Sequence, residues 1–341
     1  MAKAVKLADI AEKLNVSTVT VSKALSDQKG VSEEMREKIK KLADELGYKQ
    51  PSATRREKVQ KGYNVGILIS QAYLDKYDTF YWQMYQMVLA KTASNGCFAL
   101  LEVVSQEEEE NGNIPNLLAE QKVDGIVVIG RLDKDYLEHL EAEAKVPFVY
   151  LDYSDEKQSK DAVISDSYYG AYALTNYLFE MGHEKIAYVG TILATGSITD
   201  RYLGYLKSMM EHGKEVPQEW VIPDRHMEDG RIDRENLMKL PDDMPTAFVC
   251  NCDLTASELI KKLQADGYRV PDDISVVGYD NYLYPGLCDI EITTYEVDMW
   301  DMATRTVDII IGKIEKKPYH HGITIIEGKL VYKDSVKKLL K

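Results

Sequence analysis

Asp152, Arg201 and Asp280 are the residues of this chain whose types and places most readily do chemistry together. Asp152 ends the apolar run FVYLD (148–152), Asp280 ends ISVVGYD (274–280), and Asn251 to Asp253 close a third run, AFVCN (247–251). Arg201 is read as beginning a helix after the Gly190–Ser197 loop, and Asp78, Phe80, Tyr81 and Trp82 follow another run. Carboxylates accept from paired hydroxyls, a guanidinium donates, and an aromatic face covers the apolar side of a sugar ring. The set suits holding a neutral polyol.

Residues able to turn a ligand over are not grouped in the same way. The sequence has no phosphate-binding glycine loop and no G-x-G-x-x-G opening a helix. No nucleophile stands beside His183, and His320 and His321 are adjacent, so in an extended chain they point apart. Cys97, Cys250, Cys252 and Cys288 do not form the two pairs of a zinc site. They read as reduced thiols of the core or of a pocket wall. The expectation is a protein without catalysis, metal or cofactor.

A second constellation lies near the start. Leu7, Ile10, Ala11 and Leu14 form one helical face. Asn15 tolerates a left-handed turn, and Ser17 is placed to cap the next helix, Thr18 to Leu25. Val21, Ala24 and Leu25 are its buried side. A third helix is expected over Ser32–Leu46 with Met35, Ile39, Leu42 and Leu46 inward and Gly47 as its stop. This is a helix-turn-helix pattern, whose second helix enters the major groove of DNA. On that helix Lys23 can donate to guanine, and Thr18 and Val19 can meet a thymine methyl. Ser17 and Ser22 suit phosphate. The polar, basic segment from Gln50 to Gly62 adds Arg55 and Arg56 as backbone or minor-groove contacts.

The elements that must position the first constellation come from the remainder of the chain. Short apolar runs at 65–70, 97–104, 125–130, 148–152, 186–190, 247–251 and 274–280 alternate with helical stretches at 79–94, 167–181, 200–212, 254–266 and 299–315. Such alternation builds parallel sheets covered by helices, and ligands then bind beyond the carboxyl ends of the strands. The 341 residues allow two similar lobes besides the head. The net charge of −14 is unevenly spread: residues 1–61 hold 14 Lys/Arg against 9 Asp/Glu, whereas the rest is strongly acidic. A basic head on an acidic body confines DNA contact to one end. No run of apolar residues is long enough to span a membrane, and MAKAVKLADI lacks a signal-peptide core, so the cytoplasm is the expected compartment.

The segments VKLADIAEKLNVSTVTVSKAL, DGIVVIG, VPFVYLD, ISDSYYGAYALTNYLFEMGHEKIAYVG, VPDDISVVGYDN and ITTYEVDM together resemble the LacI/GalR family of bacterial transcription regulators, over nearly the whole chain. The resemblance implies an all-α helix-turn-helix head (1–48), a hinge (49–64) and an α/β periplasmic-binding-protein-like body (65–341) of two parallel-sheet lobes. The first lobe would take about 65–162 and 293–323, the second about 163–291 and 325–341. It implies a homodimer, in some members a tetramer, on double-stranded operator DNA. Thr18, Val19 and Lys23 match base-reading positions. Asp152, Arg201, Asp280 and the Phe80–Trp82 segment match effector-contacting ones, and Asp253 matches the acid of a customary Asn-Asp pair. Cys252 stands where asparagine is frequent, while Val297 and Met299 stand at variable pocket positions. Glu57 falls where a hinge leucine usually wedges between bases, a task a carboxylate cannot perform.

The functional expectation is a repressor of carbohydrate-use genes released or engaged by a small sugar between the lobes. The loops at 78–82, 191–200 and 251–255 carry little positive charge besides Arg201, which favours a neutral sugar over a phosphorylated one. The alternatives are an activator, a regulator answering a non-sugar effector or partner protein, and, further off, a stand-alone sugar-binding protein or an enzyme.

Overall fold

The computed structural model describes residues 5–25, 30–46, 48, 62–74, 80–154, 160–227, 233–283 and 286–339. Arg55, Arg56, Glu57, Gly47 and Asp78 lie outside the described residues. The chain divides into two compact units, 1–61 and 62–341. In the first, α1 (Leu7–Lys13), α2 (Thr18–Leu25) and α3 (Glu33–Glu45) enclose a small core of Ile10, Ala11, Val21, Ala24, Ile39 and Ala43. Asn15 has a φ of 51°, the left-handed turn expected between α1 and α2. Ser17 Oγ accepts from the Thr20 backbone N–H at 3.0 Å and so caps α2. Ser32 occupies the N-cap of α3, but its side chain makes no capping bond.

The second unit holds the alternating elements. They run β1 (Asn64–Ser70), α4 (Phe80–Ser94), β2 (Phe98–Val104), α5 (Gln106–Asn111), α6 (Asn116–Ala119), β3 (Gly125–Ile129), α7 (Lys134–Glu143), β4 (Phe148–Leu151) and β5 (Ala162–Ser165). Then come α8 (Ser167–Glu180), β6 (Ile186–Val189), α9 (Gly196–Glu211), β7 (Val221–Ile222), α10 (Arg234–Leu237), β8 (Ala247–Cys250), α11 (Asp253–Ala265) and β9 (Ser275–Val277). The chain ends with β10 (Thr294–Glu296), α12 (Met299–Ile314), β11 (Ile323–Ile326) and β12 (Lys329–Val331).

Two parallel sheets result, ordered β11-β5-β4-β3-β1-β2 and β7-β6-β8-β9, and β10 pairs antiparallel with β12. Central strands such as β3, β4, β6 and β8 are buried throughout, which is why they read as unbroken apolar runs. The helix α12 packs on β3, β4 and β5 and thus returns to the first lobe. The first lobe keeps β5 to Ser165, slightly beyond the boundary expected near 162, because β5 pairs with β4 and β11. Where α8 and α9 cross, a side-chain carbon on Gly204 would come within 2.0 Å of the Tyr168 carbonyl oxygen. Only glycine allows that approach.

Candidate functional site

The carboxyl ends of the two sheets carry a buried polar cluster. Asp152 follows β4 with a φ of 60°, and Asp280 follows β9 with a φ of 104°. Both backbones are in the left-handed region that side chains seldom adopt, a strain held where the carboxyls must be aimed. The Tyr81 hydroxyl donates to Asp152 Oδ2 at 3.0 Å. Tyr81 packs on Tyr73 with ring centroids 4.2 Å apart. Gly130, with a φ of 72°, sits under both rings, and a side chain there would meet Tyr73 at 2.8 Å and Tyr81 at 3.1 Å.

From the second lobe Arg201 answers this set. Its Nη1 donates to the Asn251 carbonyl, its Nε to Ser167 Oγ at 3.3 Å, and its Nη2 lies 3.4 Å from Asp280 Oδ1. The guanidinium lies over the Tyr279 ring at 3.7 Å. Arg201 does not begin its helix as expected. Thr195 caps α9 and the helix starts at Gly196, so Arg201 stands in its second turn and faces inward. Burial pushes the Asp280 carboxyl up to about 7, against the opposing pull of Arg201. Burial also raises Asp152, with Arg201 and the Tyr81 hydroxyl opposing.

The other sequence-predicted residues fall in different places. Phe80 meets Tyr81 edge-on and reaches across to Tyr282, with centroids 6.5 Å apart. Trp82 instead packs on Tyr85 along α4, at 5.1 Å. Cys252 is half-buried and caps α11 by accepting from the Thr255 N–H; it is within electrostatic reach of Arg225. Asp253 is buried, accepts from the Tyr282 N–H at 3.0 Å, and is held well above the usual carboxylate range by burial. It therefore braces the loop after β9. In the head, Thr18, Val19 and Lys23 are exposed on one helix and Ser22 is half-buried.

Two arginines were not anticipated. Arg225, three residues past β7, donates through Nε and Nη2 to both oxygens of the fully buried Asp224, and through Nη2 to Asn251 Oδ1. Arg131, after β3, donates from its backbone to the Tyr73 hydroxyl and from Nη1 to the Ala194 carbonyl, linking the lobes. The expectation of little positive charge near the strand ends is thereby corrected. Arg131 and Arg225 arrive from the loops after β3 and β7, outside the loops around 78–82, 191–200 and 251–255. Glu109 accepts from the Asp133 N–H and the Ser70 hydroxyl and holds two loops together. Among the described residues no group of three or more His, Cys, Asp or Glu could hold a metal ion, and no helix is long and apolar enough to cross a membrane.

A family model described as bacterial regulatory proteins, lacI family, matches residues 6–51, the described part of which holds α1 to α3. A second, described as a periplasmic binding protein-like domain, matches residues 175–336. The chain belongs to the LacI/GalR family. It is a helix-turn-helix DNA-binding regulator with a two-lobed, periplasmic-binding-protein-like body. Among LacI-family relatives, the HTH-type transcriptional repressor PurR of Vibrio campbellii is 28% identical over 340 residues, covering 97% of this chain and 98% of that one. The lac repressor dimer bound to operator and the anti-inducer ONPF superposes with a TM-score of 0.65 at 23% identity, over 98% of this chain and 100% of that one. The CelR–cellobiose complex gives a TM-score of 0.67 at 22% identity, over 97% and 99%.

Proposed function

We propose that this regulator works as a homodimeric repressor whose operator affinity is set by a small polar molecule bound between the lobes, and that this effector is of purine type. The observation that carries the reading is the facing of Tyr81 and Asp152 from one lobe by Arg201 and Asp280 from the other. A ligand touching both lobes binds one lobe orientation better than another and so shifts the population toward it. A planar heterocycle fits the aromatic wall of Tyr73, Phe80 and Tyr81. Its ring N–H groups can donate to Asp152 and Asp280, and its carbonyls can accept from the arginines. The relatives named as PurR repressors, matched almost end to end, support this choice. A free sugar is the second reading, favoured by the two carboxyls at the strand ends.

In the head, Thr18, Val19 and Lys23 would read bases, Ser17 and Ser22 would meet phosphate, and Arg55 and Arg56 would act in the hinge. The decisive experiment is thermal stabilisation of the purified chain across nucleobases, sugars and their phosphates, followed by operator binding with each hit. A purine-type hit that changes operator affinity is the expected result. A hit only among neutral sugars would return the sugar reading, and hits that leave operator affinity unmoved would sink the cleft as the effector site.

A further inference from the structure

We propose that the molecule held between the lobes carries an anionic oxygen group, a phosphate or a carboxylate, gripped by Arg131 and Arg225 from opposite sides of the cleft. This rests on reading the cleft as the effector site, and it names the charge of what fills it. Each arginine follows the carboxyl end of a strand, Arg131 after β3 in the first lobe and Arg225 after β7 in the second. Both act electrostatically on the same group, the Tyr73 hydroxyl.

A guanidinium offers five N–H donors in a fixed plane. Arg225 uses Nε and Nη2 on Asp224 and Asn251, which locks that plane, and its Nη1 holds no hydrogen bond among the described residues. Arg131 uses Nη1 on Ala194, and its Nε and Nη2 hold none among the described residues. Both arginines are part-buried, so these open N–H edges reach solvent, and an anionic oxygen meets them with the stronger, charge-assisted bond. The amino end of α9 begins at Gly196, two residues past the Ala194 carbonyl that Arg131 grips, and no neighbouring atom crowds Gly196. A helix amino end favours an anion as well. Burial discourages ionisation of Asp152 and Asp280, whereas Arg201 and Arg225 are raised above the ordinary guanidinium value, so the cluster is biased toward positive charge.

The test is calorimetric titration of the full chain with matched pairs: adenine against adenosine monophosphate, and glucose against its phosphate ester and its aldonic acid. The charged member of at least one pair should bind about tenfold more tightly than its neutral partner. The pair that shows the gain tells phosphate from carboxylate. Arg131→Gln should remove most of that gain, bringing the charged member down to about the affinity of its neutral partner. Arg225→Gln strands the Asp224 carboxylate, so Arg225→Lys is the companion: it keeps a charge beside Asp224 and loses the second edge. Equal binding within every pair, an equal loss of both members in Arg131→Gln, or no binding of any anionic probe at millimolar concentration would overturn the proposal. A neutral ligand that shifts operator affinity, with no charged member of any pair binding more tightly than its neutral partner, sinks this inference and spares the regulator reading. A charged ligand that needs both arginines yet leaves operator affinity unmoved does the reverse.

Discussion

Asp280 shows how a single side chain ties the site to solution conditions. Its φ of 104° aims the carboxyl at Arg201, and burial raises it from an ordinary 3.8 to about 7. The acid is therefore easier to ionise in the unfolded chain than in the folded one. Below about pH 4 it is protonated in both states and its contribution to stability is complete; as pH rises towards and through about 7, that contribution is lost. Asp280→Asn keeps the shape and removes the ionisation. The melting midpoint of the wild type should fall, relative to that of Asp280→Asn, between about pH 4 and about pH 7, by a few degrees. Parallel curves for the two proteins would mean that the carboxyl titrates normally in the folded state.

At the scale of elements, what the sequence makes legible follows from what is local. The strands β1, β3, β4, β6 and β8 were readable because both faces are buried and the runs are unbroken. The turn at Asn15 and the cap at Ser17 were readable because their chemistry lies within four residues. The strand β7 was not, since it is two residues long and pairs only with β6. Arg225 was hidden for the same reason: the groups that hold it are Asp224 and Asn251, the latter from a loop far along the chain. Asp152 and Asp280 could be placed because strand ends can be located from runs alone, whereas Arg201 was expected to begin α9 and stands in its second turn. The packing of α8 on α9 depends on Gly204, which no periodicity singles out. In Gly204→Ala the new carbon would enter the Tyr168 carbonyl, forcing the helices apart. The expected cost is about 1–3 kcal/mol in urea unfolding, with weaker effector binding because Arg201 lies one turn earlier on α9. Wild-type stability and binding in this variant would show that the crossing yields without strain.

At the scale of the whole molecule, charge is divided as labour is. The first 61 residues hold 14 Lys/Arg against 9 Asp/Glu, within a chain whose net charge is −14. The head also has its own core, with Ile10, Val21, Ala24 and Ile39 fully buried within its three helices. An acidic body repels phosphates, so counterion release on binding DNA must come from the basic head segment alone. Each phosphate neutralised contributes about −0.9 to the slope of log affinity against log salt. A fragment of residues 1–61 on a half-operator and the full dimer on a whole operator should then differ by a factor of about two in that slope, one share per head. The dimer should bind far more tightly, because joining two heads raises the effective concentration of the second. Fluorescence anisotropy across a salt series reads both quantities. A dimer slope well beyond twice that of the fragment would place further phosphate contacts on the body, against its charge. Equal affinities for fragment and dimer would remove linkage from the account, and with it the route by which a ligand between the lobes could govern the operator.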